Sequence, residues 1–126
     1  MRSTLPLFAA LALSACATLP PANGPIRSDG LAQLNQATRV GVLVVTPLAV
    51  VEDSRCPINA RCVWAGRVIV TTRIDGPGWR ETTNMELGRP YITHDLGLQL
   101  TSVEPGKLAG SPAPTAPYLF GYQGGR

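Results

Sequence analysis

Apolar and polar positions alternate along most of this chain with the two-residue period of β-strands, and no stretch sustains a helical period. Residues 39–46 are rich in β-branched side chains, and Pro47 marks a break or an edge before an apolar strand over 48–52. Two strands, or one kinked strand, are expected there. From 67 to 74, Val68, Val70, Thr72 and Ile74 fall on one face, and Asp75-Gly76-Pro77-Gly78 supplies a turn. On the return, over 79–87, Trp79, Met85 and Leu87 share a face while Arg80, Thr82, Asn84 and Glu86 take the other. Glu81 and Thr83 weaken the apolar side, but the pattern is that of a half-buried antiparallel hairpin. Gly88-Arg89-Pro90 interrupts again, followed by short strands over 91–94 and 96–103 that align Leu96, Leu98 and Leu100. The stretch 106–117 is rich in Gly, Pro and Ala, and 118–122 is expected as a last edge strand or a tail. Five to seven short strands at this spacing predict an all-β domain, an antiparallel sandwich with a small barrel as alternative.

The first residues follow a different logic. A single charge at Arg2 precedes an apolar run from Leu5 to Leu13, then Ser14, Ala15 and Cys16. That order is the order of an export signal. The apolar run is about half of the roughly 20 residues a membrane-spanning helix needs, and Pro6 interrupts it. Leu13-Ser14-Ala15-Cys16 resembles the lipobox of bacterial lipoproteins, which implies cleavage before Cys16, diacylglycerol on its sulfur and acylation of the new amino terminus. Two or more acyl chains anchor stably where one does not. Ala17 stands where an Asp would resemble an inner-membrane retention signal, so the expected address is the outer membrane, facing the periplasm. The expected organisation is a signal peptide over 1–15, a lipidated Cys16 with a flexible tether over 16–36, one β domain over 37–122 and a tail over 123–126. Pro20, Pro21, Asn23, Gly24, Pro25 and Gly30 give the tether its character.

If lipid takes Cys16, then Cys56 and Cys62 remain as a pair in an oxidising compartment, and a disulfide across five intervening residues is geometrically plausible. A structural zinc site would want four ligands, and two cysteines with His94 fall short of that set. Redox catalysis more typically uses a closer Cys-x-x-Cys pair at a helix start, although Arg55 and Arg61 beside these sulfurs could stabilise a thiolate.

The run Glu52-Asp53-Ser54-Arg55-Cys56-Pro57, four residues, then Cys62-Val63-Trp64-Ala65-Gly66 resembles a signature of small, uncharacterised bacterial envelope lipoproteins. Val103-Glu104-Pro105 agrees more loosely with the same family, and Asn59 and Ala60 stand where a glycine and a larger apolar residue are expected. The resemblance supports the address and the disulfide and implies no chemistry. Read on their own, Asp53 and Ser54 can bond nearby amides at a strand end, Trp64 can cover the disulfide, and Gly66 suits a bulge or a close backbone approach. A second reading makes Asp53, Arg55 and Trp64 a partner-binding patch, since Trp and Arg are favoured interface anchors.

Composition narrows the function classes. The 126 residues carry a formal charge of +3 including Arg2, with arginines scattered and Lys107 the single lysine, so nucleic acid is not an expected partner. No phosphate-cradling glycine loop, Gly-x-Ser-x-Gly elbow or cofactor motif is present. His94 and Asp95 with the hydroxyls of Thr93 and Ser102 would make a triad only if strand neighbours shared a face, which they do not. No catalytic residue and no cofactor is therefore assigned. The expected function is a non-enzymatic module held at the membrane by its lipid, binding an envelope protein or a wall polymer. An inhibitor of an envelope hydrolase, presenting the Cys56 to Cys62 loop, is a variant; a thiol-disulfide or metal-dependent enzyme is the alternative class.

Overall fold

A computed structural model describes residues 24–107, 109 and 116–126, and all of its regular elements are strands. In chain order they are β1 (Leu31–Ala32), β2 (Thr38–Val40), β3 (Leu43–Asp53), β4 (Val68–Gly76), β5 (Trp79–Glu86), β6 (Pro90–Thr93), β7 (Leu96–Glu104) and β8 (Leu119–Gly124). Two antiparallel sheets of four strands, ordered β2-β3-β4-β5 and β1-β8-β7-β6, face each other without closing into a barrel. The fold is a small β-sandwich.

The expected β4–β5 hairpin is present with Ile74 opposite Glu81 and Val70 opposite Met85. Its apolar faces meet the other sheet: Val68, Val70, Ile74 and Met85 pack with Val40, Leu43 and Val45 against Leu98, Leu100, Val103, Phe120 and Tyr122. Phe120 is fully buried, and the Tyr122 hydroxyl crosses the core to the Thr72 hydroxyl at 3.0 Å, so the two sheets share one buried polar contact. Burial holds the Tyr122 phenol far above its ordinary pKa.

Three local expectations change. The break before the long strand falls at Gly41-Val42, where a left-handed glycine turns β2 into β3. Pro47 lies within β3, at a register shift that spares the ladder its missing N–H. The 118–122 segment is no edge: β8 runs between β1 and β7, with Leu31 opposite Gly121 and Leu100 opposite Tyr122. His94 and Asp95 sit on the β6–β7 turn, both at positive φ (49° and 60°), as a two-residue hairpin turn requires, and not on a strand.

The domain also reaches further in both directions than the pattern indicates. Residues 24–36, expected as tether, contain β1, whose Ala32 is fully buried, and Arg27 bonds the backbone on both sides of Thr38. A two-residue strand is too short to leave a period in the sequence. At the other end Gln123 and Gly124 belong to β8, and Gly125 donates to the Gly97 carbonyl at 2.7 Å. The export signal and Cys16 lie outside the described residues.

Candidate functional site

Asp53, the last residue of β3, and the loop that follows it to β4 hold every site residue expected from the sequence except Cys16. The loop's base is closed by backbone. Ser54 N–H donates to the Arg67 carbonyl at 2.8 Å, and the Ser54 hydroxyl accepts from Arg67 N–H at 3.0 Å. Gly66, at φ 69°, passes so close to the Ser54 carbonyl that a Cβ would overlap it, which is the close approach expected of that glycine. Above this base Cys56 and Cys62 form a disulfide with Cα atoms 5.8 Å apart.

Asp53 and Arg55 face inward. The Arg55 guanidinium donates to both Asp53 carboxylate oxygens at 2.9 Å, to the Val103 carbonyl at 2.8 Å and to the Pro105 carbonyl at 3.0 Å. Tyr118 hydroxyl donates to the same carboxylate at 2.9 Å, and Lys107 Nζ donates to the Asp53 backbone carbonyl at 3.0 Å. With side chains only 17% and 9% exposed, Arg55 and Asp53 clasp the end of one sheet to the end of the other. Hydrogen bonds from Arg55, and then from Tyr118, hold the Asp53 carboxyl below its ordinary pKa despite the burial that opposes this. Burial and then the Asp53 hydrogen bond push the Tyr118 phenol up.

These contacts give both side chains a structural setting. Asp53 and Arg55 bond each other, the Tyr118 hydroxyl and backbone carbonyls, with little of either side chain in water. Trp64 does the reverse. Expected to cover the disulfide, it is 65% exposed. Val63 is 95% exposed and Ile58 76% exposed, so three large apolar side chains stand out from one short loop. Arg61, exposed beside Cys62, has no hydrogen-bond or ion-pair partner among the described residues.

The tip is nonetheless stitched down. Ile58 N–H donates to the Lys107 carbonyl at 2.9 Å, and the Asn59 side-chain oxygen accepts from Ala109 N–H at 2.7 Å. Asn59 thus serves as a bridge between loops and not as a left-handed stand-in for glycine. Tyr118, Lys107 and the two carbonyl acceptors of Arg55 were not singled out as partners from the sequence. One signal existed: Val103-Glu104-Pro105 carries the looser part of the lipoprotein resemblance, and it is there that Arg55 lands.

Elsewhere the Thr93 hydroxyl lies 2.8 Å from His94 Nδ1, and the exposed imidazole stacks on Trp79 with ring centroids 3.7 Å apart. That gives His94 a structural setting without an orienting carboxylate. Among the described residues no group of three or more His, Cys, Asp or Glu is placed to hold a metal ion. The arrangement suits presentation of a rigid apolar tip. No protein-family model, no curated protein and no solved structure matches this chain.

Proposed function

We propose that this chain is a lipid-anchored protein of the bacterial envelope, without catalytic activity, that binds a macromolecular partner through the 56–66 loop. The observation that carries the reading is the exposure of Ile58, Val63 and Trp64 on a loop pinned by a disulfide and by the Asp53–Arg55 clasp beneath it. A soluble domain rarely leaves three such side chains together in water, and a tip that is already ordered loses little entropy on docking. Arg61 adds one uncommitted cation at the rim, suited to a partner with a carboxylate near an apolar cleft. A convex tip of this kind is what an inhibitor of an envelope hydrolase would present.

The anchor rests on the export signal and on Leu13-Ser14-Ala15-Cys16. Gly24, where the described chain begins, borders one surface with Val44 and Asp75, at the start of β3. The loop leaves the other end of that strand, about 23 Å away from Thr46 to Asp53 at roughly 3.3 Å per residue.

The test places a photo-crosslinking amino acid at position 63 in cells, with position 82 on the exposed face of β5 as control. One discrete adduct at 63, absent at 82 and lost with Trp64→Ala, is the expected result. Equal labelling at both positions would overturn the binding role. Intact mass of the membrane-extracted protein reads the anchor separately, since an unacylated Cys16 would remove it.

A further inference from the structure

The geometry points to a second site: the cleft on the outer face of the β2-β3-β4-β5 sheet binds an amphipathic oxyanion, an acyl chain headed by a carboxylate. It lies at the opposite end of β3 from the 56–66 loop, and its argument stands whether or not that loop binds anything.

Strand register builds the cleft. Thr46 pairs with Arg73, Val44 with Asp75 and Asp75 with Arg80, so these side chains fall in two rows on the face turned away from the core. Leu48, displaced by the register shift after Pro47, extends the apolar side. Residues 24–27 then run beside β2, fastened by Arg27 to the backbone around Thr38, and raise a wall that includes Ile26 and Ala37. Between wall and sheet lies a volume of about 610 Å³. That is within the usual range for a small-ligand site, roughly 300 to 1,000 Å³.

The charges sit along one side. Asp75 accepts from Arg73 Nε at 3.3 Å through one oxygen and from Arg80 Nε through the other. One carboxylate therefore orients two guanidiniums and leaves the group with net positive charge. Each arginine spends only its Nε in this contact, and among the described residues no acceptor meets the Nη groups of either. Two part-oriented guanidinium edges beside apolar side chains form a receptor for a planar oxyanion, which guanidinium forks bind in preference to a point cation's partner. Thr46 lines the cleft at 4% exposure, and its hydroxyl, like that of Thr38 in β2, has no hydrogen-bond partner among the described residues, where a buried polar group ordinarily finds one. Ile26, Val44 and Leu48 supply apolar surface for the acyl chain.

The experiment titrates the chain from residue 16 onward, carrying Cys16→Ser so that no attached lipid competes, with decanoate below its micellar range. Amide spectra report the site. Saturable shifts at Val44, Thr46, Arg73 and Arg80 are expected, while acetate, which has no chain, and decyltrimethylammonium, which has the wrong charge, give none that saturate. Arg80→Gln, at a side chain 65% exposed, should weaken decanoate about tenfold with the amide positions of Leu98 and Phe120 unchanged. Arg73→Gln combined with it should abolish saturation. No saturable shift with decanoate, equal affinity for the cationic amphiphile, or unaltered affinity in Arg80→Gln would each overturn the proposal.

Discussion

Replacing Arg55 by alanine removes the one side chain that ties Asp53, Val103 and Pro105 together. Its guanidinium makes four hydrogen bonds from a setting 17% exposed, and the carboxylate it neutralises is 9% exposed. Hydrogen bonds to charged groups contribute roughly 1.5 to 3 kcal/mol each, but four from one guanidinium are not independent and do not sum. The more useful bound comes from what remains. Arg55→Ala leaves Asp53 charged, largely buried and served by Tyr118 and little else, and breaking a buried pair in this way costs about 3 to 5 kcal/mol. The clasp lies at the end of the sandwich, where water reaches its margins, so the lower value of about 3 kcal/mol is expected. In a domain near one hundred residues that lowers Tm by about 12 to 24 °C.

Urea unfolding followed by circular dichroism, with an unchanged m-value, is the direct assay. The cycle completed by Asp53→Asn should return a coupling of at least about 1 kcal/mol between the two positions. Acidity offers an independent check. The folded-state pKa of Asp53 lies below its unfolded value, so its stabilisation is complete above about pH 5 and is lost as pH falls through the folded pKa. Arg55→Ala should therefore flatten the acid limb of the stability profile as well as lower its plateau. A loss below about 1 kcal/mol, with that limb unchanged, would show the clasp to behave as an ordinary surface pair and would refute the reasoning.

Trp64→Ala should change unfolding free energy by no more than about 0.5 kcal/mol, as urea denaturation will read, since the indole is mostly in water. Gly66→Ala should destabilise by more than about 1 kcal/mol in the same assay, because its φ of 69° and the Ser54 carbonyl leave no room for a methyl group. Reducing Cys56–Cys62 should lower stability by about 2 kcal/mol, from the loop entropy of a small ring, and equal midpoints with and without reductant would contradict it.

What could be read from the sequence was what depends on near neighbours. Alternation over 67–87 fixed the register face of β4 and β5, and the short spacing of Cys56 and Cys62 allowed their bond. Gly66 is strained for the reason its position suggested. The elements that escaped reading depend on distant partners. β1 has two residues and exists only because β8 offers it an edge. Arg55 beside Cys56 reads as a thiolate stabiliser or an interface anchor, and its role as a clasp depends on the carbonyls of Val103 and Pro105, 48 and 50 residues further on. Trp64 reads either as a cover for the disulfide or as an exposed anchor, because tryptophan suits both settings, and its 65% exposure is set by packing that leaves no mark in the nearby sequence. Pro47 looked like a break because the bulge that accommodates it has no sequence mark of its own.

The position of β8 has a consequence for when this protein can fold. Leu31 pairs with Gly121 and Ala32 with Phe120, and Phe120 fills the centre of the core. The second sheet cannot be completed until Leu119–Gly124 is available to pair with Leu31–Ala32. Contacts that close loops of this length form late and slowly. Until then β1 and β7 each keep an unpaired edge, so a chain made from its amino terminus holds its second sheet open while the first, whose strands all end by Glu86, already has its partners.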